Sequence, residues 1–184
     1  MKLNKSIIVC IGILMITQVH AQEIYRTKNG DMLITAISSN DSVLRVTTKK
    51  LSVTMNYESA EFEMSMDKSD FSTGIDSIDK KLALMKFEII EFKGKLDIDR
   101  INRDGHSPLD FYVEGILSTN NNTIRGTGHL EHISNRGTFS CLLTLKFNLK
   151  TDELGLNVDD FNLKLKDDIQ IDITQTVLNK TEDQ

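Results

Sequence analysis

His129 and His132 stand three residues apart, a spacing at which two imidazoles on one face of a helix can share a metal ion. The run around them, "GTGHLEHI", instead alternates like a strand, and on a strand a separation of three sends the two rings to opposite faces. A metal site is therefore not expected there. His106 lies in the polar stretch "NRDGHSP" and reads as solvated. Cys141 alternates with Phe139 and Leu143, so it reads as a core thiol whose apolar setting raises its pKa and keeps it inert. Asp159-Asp160 and Asp167-Asp168 invite a reading as paired acids or calcium ligands, but neighbours on a strand point apart. No spaced Asp-x-Asp-x-Asp-Gly loop accompanies them, and they read as turn residues. The sequence contains no phosphate loop, nucleophile elbow or zinc spacing. This inventory predicts no catalytic residue, no metal and no enzyme.

The elements that carry these residues share one rhythm. In "FSCLLTLKFNL", Phe139, Cys141, Leu143, Leu145, Phe147 and Leu149 fall on one face, with Leu142 alone spoiling the alternation. "IQIDITQTV" sets Ile169, Ile171 and Ile173 against Gln170, Asp172 and Thr174. "IEFKGKLDI" does the same with Ile90, Phe92, Gly94, Leu96 and Ile98, "LSVTMNY" with Leu51, Val53, Met55 and Tyr57, and "EFEMSM" with Phe62, Met64 and Met66. Around "VEGILSTNNNTIRGTGHLEH", Phe111, Val113, Gly115 and Leu117 line an incoming strand, and Ile124, Gly126, Gly128 and Leu130 line the outgoing one. Thr119 to Asn122 must then turn the chain, since asparagine tolerates the left-handed backbone region. Strands with one dry and one wet face belong to antiparallel sheets.

Two other features complete the layout. "GIDSIDKKLALM" places Ile75, Ile78, Leu82 and Met85 at helical spacing, which predicts one short amphipathic helix. "YRTKNGDMLIT" predicts a hairpin around Asn29-Gly30, and Asp159-Asp160 a break between two short strands. The fold class that follows is all-β: a closed antiparallel, lipocalin-like β-barrel of about eight strands with one short helix.

The ends bound the setting. Lys2 and Lys5, the apolar run Ser6 to Ile16 and the small-residue site Val19-His20-Ala21 read as an export signal over residues 1–21. About 11 apolar residues fall short of the roughly 20 that span a bilayer. Cleavage near Ala21 predicts a periplasmic or secreted protein with no stable membrane span. It removes two lysines and no acid, so the formal charge of −5 becomes −7. That balance argues against nucleic acid and against an anionic membrane surface as electrostatic partners. Cys141 is then the only cysteine, so no internal disulfide can hold the fold. One barrel domain over residues 22–178 and a polar C-terminal tail over 179–184 account for the rest.

The order of these elements resembles the YceI-like family of exported bacterial barrels over roughly Leu44 to Val177. "FEIIEFKGKLDI" is similar to the family's strand after its helical loop. "VEGILSTNNNT" is similar to its Gly-x-Leu-Thr-Ile-x-Gly-Val-Thr stretch, with Gly115, Leu117, Ser118 and Thr123 at matching positions. "LKFNLKTDELGL" with "LKLKDDIQIDITQTV" looks like its closing strands. Asn121 stands where the family usually has glycine and Thr119 where it has an aliphatic residue, the pattern of a divergent member. The resemblance implies an exported protein that holds an apolar chain, a polyisoprenoid or similar lipid, in its lumen. No other cofactor is implied.

On that reading the lumen is lined by Val53, Met55, Phe62, Met64, Ile90, Phe92, Leu96, Phe111, Val113, Leu117, Phe139, Cys141, Leu143, Leu145, Phe147, Ile171 and Ile173. The inward glycines would leave volume, and Met55, Met64, Met66 and Met85 would adapt to an irregular ligand. The alternative is a ligand-free structural or protein-interaction barrel in which the same residues fill the interior. A homodimer is compatible with both.

Overall fold

Each alternating segment forms the strand its pattern predicts, and each pairs antiparallel with its neighbour in sequence. The computed structural model describes residues 23–102, 107–135, 138–151, 153 and 164–181. The strands are β1 (Ile24–Ser38), β2 (Val43–Asn56), β3 (Glu61–Asp67), β4 (Ile89–Leu96), β5 (Leu109–Leu117), β6 (Thr123–Asn135), β7 (Thr138–Lys150) and β8 (Leu165–Lys180). Between β3 and β4 lie a 3-10 turn (Lys68–Asp70) and one helix, α1 (Asp76–Leu82). β8 returns to β1, with Tyr25 opposite Lys180 and Ile34 opposite Ile171, and the sheet closes into an eight-stranded barrel. Among the described strands, closure leaves none with an unpaired row of amides and carbonyls. The expected fold class is the observed one. Residues 1–21, His106 and Asp159-Asp160 lie outside the described residues, as do the side chains of Phe139 and Asp167.

The N-terminal strand departs from expectation. Asn29-Gly30 makes no hairpin, because β1 runs straight through it with register shifts on either side of Gly30. Gly30 packs opposite Leu51, where an added Cβ would lie 3.1 Å from Thr176 Cγ2 and 3.2 Å from the Leu51 carbonyl oxygen. The glycine serves a bulge and a close approach of β2 and β8, not a turn. The chain reverses instead within "SSNDS", where Asp41 takes φ 65° and the Ser42 amide donates to the side chains of Ser38 and Asn40. At the far end β8 takes in Asn179 and Lys180, which composition alone places in the polar tail. Asn179 pairs with both Arg26 and Ser140.

The asparagine run does turn the chain. Asn121 adopts φ 57°, its amide donates to the Leu117 carbonyl, and the Leu117 amide donates to Asn122. Asn120 accepts from the Asn122 amide through its own side chain and donates Nδ2 to the Glu153 carbonyl, 2.7 Å away.

The inward faces of all eight strands merge into one apolar core. The segment between β3 and β4 folds over one end of it. Thr47 and Ser72 exchange backbone hydrogen bonds, and Phe71, Ile78 and Leu82 are buried into the core. Ile75, expected on the apolar face of the helix, is exposed as the residue preceding it. The helix has no side-chain cap from Ile75. Asp79 reaches back instead and accepts from Ser72 Oγ, Thr73 Oγ1 and the amides of Thr73 and Gly74. Those four bonds hold the Asp79 carboxyl below the usual carboxylate range, the Thr73 amide contributing most. We call this covering segment the lid.

Candidate functional site, an apolar cavity beneath the lid

The barrel interior holds a hydrogen-bonded cluster at one end and a small cavity nearer the other. Away from the lid, Tyr25 stacks on Tyr57 with ring centroids 4.2 Å apart and planes 27° from parallel. Tyr57 Oη lies 2.9 Å from His132 Nε2 and shares a hydrogen bond with Cys141 Sγ. Burial pushes the Cys141 thiol up to about 11 and raises the Tyr57 phenol further still. The core thiol is thus where the alternation placed it, in a hydrogen-bonded plug whose tyrosine partner the sequence did not reveal. His129 sits on the outer wall, with Nδ1 2.6 Å from Asp110 and Nε2 3.2 Å from Glu131, and both bonds raise its pKa. The two histidines therefore lie on opposite faces of β6, and the described residues contain no cluster of metal-ligating side chains.

Nearer the lid a small cavity remains, with about 30 Å³ of free space. Every residue around it is apolar. Met64, Ile90, Phe92, Leu117, Phe147 and Ile171 from the predicted lumen set reach it. So do Met32, Ile34 and Leu149, Met66 and Ile124, and Phe71 from the lid itself. Val53, Met55, Phe62, Leu96, Phe111, Val113, Cys141, Leu143, Leu145 and Ile173 are buried in the core but do not line the cavity. Met32 and Ile34 were missed because the expected hairpin interrupted their strand. Phe71 was missed because no periodicity marks a residue in a connecting segment.

The inward glycines do not leave the volume expected of them. A Cβ on Gly128 would lie 2.3 Å from the Phe111 ring, and one on Gly126 would lie 2.6 Å from the Phe147 ring. Aromatic side chains have taken the space. Gly94 and Gly115 oppose each other directly, so there the missing side chains let β4 and β5 approach. Phe62, Phe92 and Phe147 continue the filling, with edge-to-face contacts of 6.1 and 5.5 Å between successive rings.

A groove of about 470 Å³ also runs along the outer wall, lined by Asp97, Asp110, His129 and Lys146 among others. It is wide open and its rim is charged, so it offers an apolar chain little shelter from water. The enclosed cavity is the better candidate despite its size.

No family model matches the sequence, and no curated protein does either. Solved structures do. The barrel is similar to a polyisoprenoid binding domain from Saccharophagus degradans implicated in plant cell wall breakdown. That likeness has a TM-score of 0.65 at 11% identity and covers 89% of this chain and 100% of that one. It is also similar to BcnA of Burkholderia cenocepacia, with a TM-score of 0.53 at 15% identity over 82% of this chain and 96% of that one. The shared fold is a closed eight-stranded antiparallel barrel. At such identities the fold is what is shared. In this barrel the lumen is narrowed by Phe111 and Phe147 lying over glycines.

Proposed function

We propose that this protein is an exported carrier that binds one apolar chain, a polyisoprenoid or a lipid of similar girth, in the barrel beneath the lid. The observation that carries the reading is the wholly apolar cavity with Met32, Met64 and Met66 on its wall and Phe71 of the lid across it. Each buried methylene of such a chain is favourable by about 0.8 kcal/mol, so a few isoprene units offset the cost of ordering and docking. As it stands, about 30 Å³ admits roughly one methylene or water, so loading requires the methionines to change rotamer and the lid to lift. Methionine is suited to this, since its unbranched thioether repacks at little cost. The fold neighbour described as polyisoprenoid binding supports the choice of ligand class.

Native mass spectrometry of protein purified from its own host, followed by stripping and titration with a fluorescent prenyl probe, tests the proposal. A bound lipid, or saturable uptake of one probe per chain, is expected. Absence of both would sink it.

The packed plug around Tyr57 and the ring-filled glycine sites favour a second reading, a ligand-free barrel that recognises a protein through its surface. Pull-down from envelope extract with and without the "STNNNT" hairpin separates the two, because a carrier needs no stable protein partner at that loop.

A further inference from the structure

The exposed apolar residues are unevenly spread. Of the ten large ones among the described residues, only Tyr112, Ile133 and Val177 lie away from the lid end. The most prominent are Leu84 at 85% and Phe87 at 88% of full exposure, on the lid between α1 and β4, with Ile89 beside them. The turns in which Leu84 donates to Lys81, Met85 to Leu82 and Glu88 to Met85 keep these residues within one compact stretch. Phe87 is also held in the left-handed region, φ 69°, by its amide's bond to Asp67 Oδ2 at 2.8 Å. The ring is nonetheless exposed, so packing does not account for that conformation.

The C-terminal part of the lid beside it is rich in lysine. Lys80, Lys81 and Lys86 are exposed on this stretch, which holds one acid, Glu88, 2.9 Å from Lys68. On the earlier part of the lid Asp79 is bonded to Ser72, Thr73 and Gly74, Asp67 to Ser69 and Phe87, and Asp70 to Lys50, with Asp76 also present on the first turn of α1. The acidic balance of the whole chain argued against an anionic surface; the lid from Lys68 to Glu88 balances four lysines with four acids, and within it residues 80–89 carry a formal charge of +2. Apolar tips set among lysines match the interface of an anionic bilayer, where rings and aliphatic chains enter the acyl boundary and ammonium groups meet phosphates.

We propose that the lid tip, Leu84, Phe87 and Ile89 with Lys80, Lys81 and Lys86, docks the barrel onto an anionic phospholipid surface. Given the carrier reading above, on which this proposal's purpose rests, docking there brings the lid against the bilayer from which an apolar chain would be taken or to which it would be delivered.

The chain has no tryptophan, so Phe87→Trp places a single reporter at the tip. Tyr112→Trp, on the outer wall, serves as its counterpart. With protein purified as its host exports it, vesicles of phosphatidylglycerol and phosphatidylethanolamine should blue-shift the reporter at 87. Acyl-brominated lipid should quench it, and the reporter at 112 should do neither. Lys80→Gln with Lys86→Gln should weaken partitioning about tenfold or more. An unchanged spectrum at position 87 would overturn the proposal, as would equal shifts at both positions, the mark of general adsorption. A shift that follows protein concentration without vesicles would assign the patch to a second copy of the chain and overturn it too. The readout involves no bound ligand, so a protein that inserts position 87 yet takes up no prenyl probe keeps the docking surface and loses the carrier reading.

Discussion

Gly94 on β4 and Gly115 on β5 face one another as a directly opposed pair, so close that a Cβ on Gly115 would sit 2.4 Å from the Gly94 Cα and 2.3 Å from the Lys93 carbonyl oxygen. Both obstacles are backbone, which cannot rotate aside. Gly115→Ala should therefore destabilise the barrel at the upper end of the about 1–3 kcal/mol typical of overpacking, read as a lower urea midpoint at unchanged slope. A loss below 0.5 kcal/mol or so would mean the strands can part without penalty.

Gly128 is crowded by a side chain instead. Gly128→Ala meets the Phe111 ring, so Phe111→Leu in the same molecule should restore part of what the alanine costs. A double-mutant cycle should give a favourable coupling of about 1 kcal/mol or more. Simple additivity would show that Phe111 does not occupy the place left by the glycine.

The Tyr57 plug predicts slow chemistry and an alkaline limit. Cys141 is fully buried, so its reaction with a thiol reagent should proceed no faster than the barrel opens. Its folded pKa of about 11 exceeds the roughly 8.5 of an unfolded cysteine. The unfolded state thus releases its proton first. This group's contribution is intact below about pH 8.5 and is lost as the pH rises from there through the folded value. Cys141→Ala should flatten that alkaline decline in a stability-versus-pH series, and Tyr57→Phe should cost about 1 kcal/mol for its hydrogen bonds.

Asp79 ties the lid down, and its sign is opposite. Its pKa is lowered in the folded protein, so the clamp is present above the ordinary carboxylate value near 3.9 and is lost as the pH falls through the lower folded value. Amide exchange across the lid, Lys68 to Glu88, should quicken in that acid range while β5 to β7 stay protected. Asp79→Asn should produce the faster exchange already at pH 7. Equal exchange in both proteins would release Asp79 from this role.

Phe71 links lid to cavity. Phe71→Ala removes a buried ring, at a cost of about 3–5 kcal/mol, and enlarges the space beneath the lid. If the chain enters there, the variant should take up a prenyl probe faster than the parent protein in stopped-flow fluorescence. Unchanged uptake would place the entrance elsewhere.

Which parts of this architecture a reader could find in the sequence follows from what sets each part. A strand with one wet face writes a period of two into its residues, so β2 to β8 and the inward positions were legible, down to the reversal at Asn121. Asn29-Gly30 misled because one dipeptide serves both a tight turn and a bulge, and only the approach of Thr176 and Leu51 tells them apart. The cavity was less legible than the core. Whether an inward glycine leaves a void or a seat for a ring depends on its cross-strand neighbour, Phe147 for Gly126 and Phe111 for Gly128, and alternation carries no record of register. The lid residue Phe71 belongs to no periodic run at all.

Because β1 is zipped to β8, with Arg26 beside Asn179 and the Thr181 amide bonded to Ile24, the earliest strand waits for the latest before the ring exists. Until then the nascent sheet has two raw borders and its grease on show. Such distant pairing is paid for late and makes assembly slow. A chain that stops before β8 leaves β1 and β7 without the partner that joins them, so the cylinder stays an open sheet.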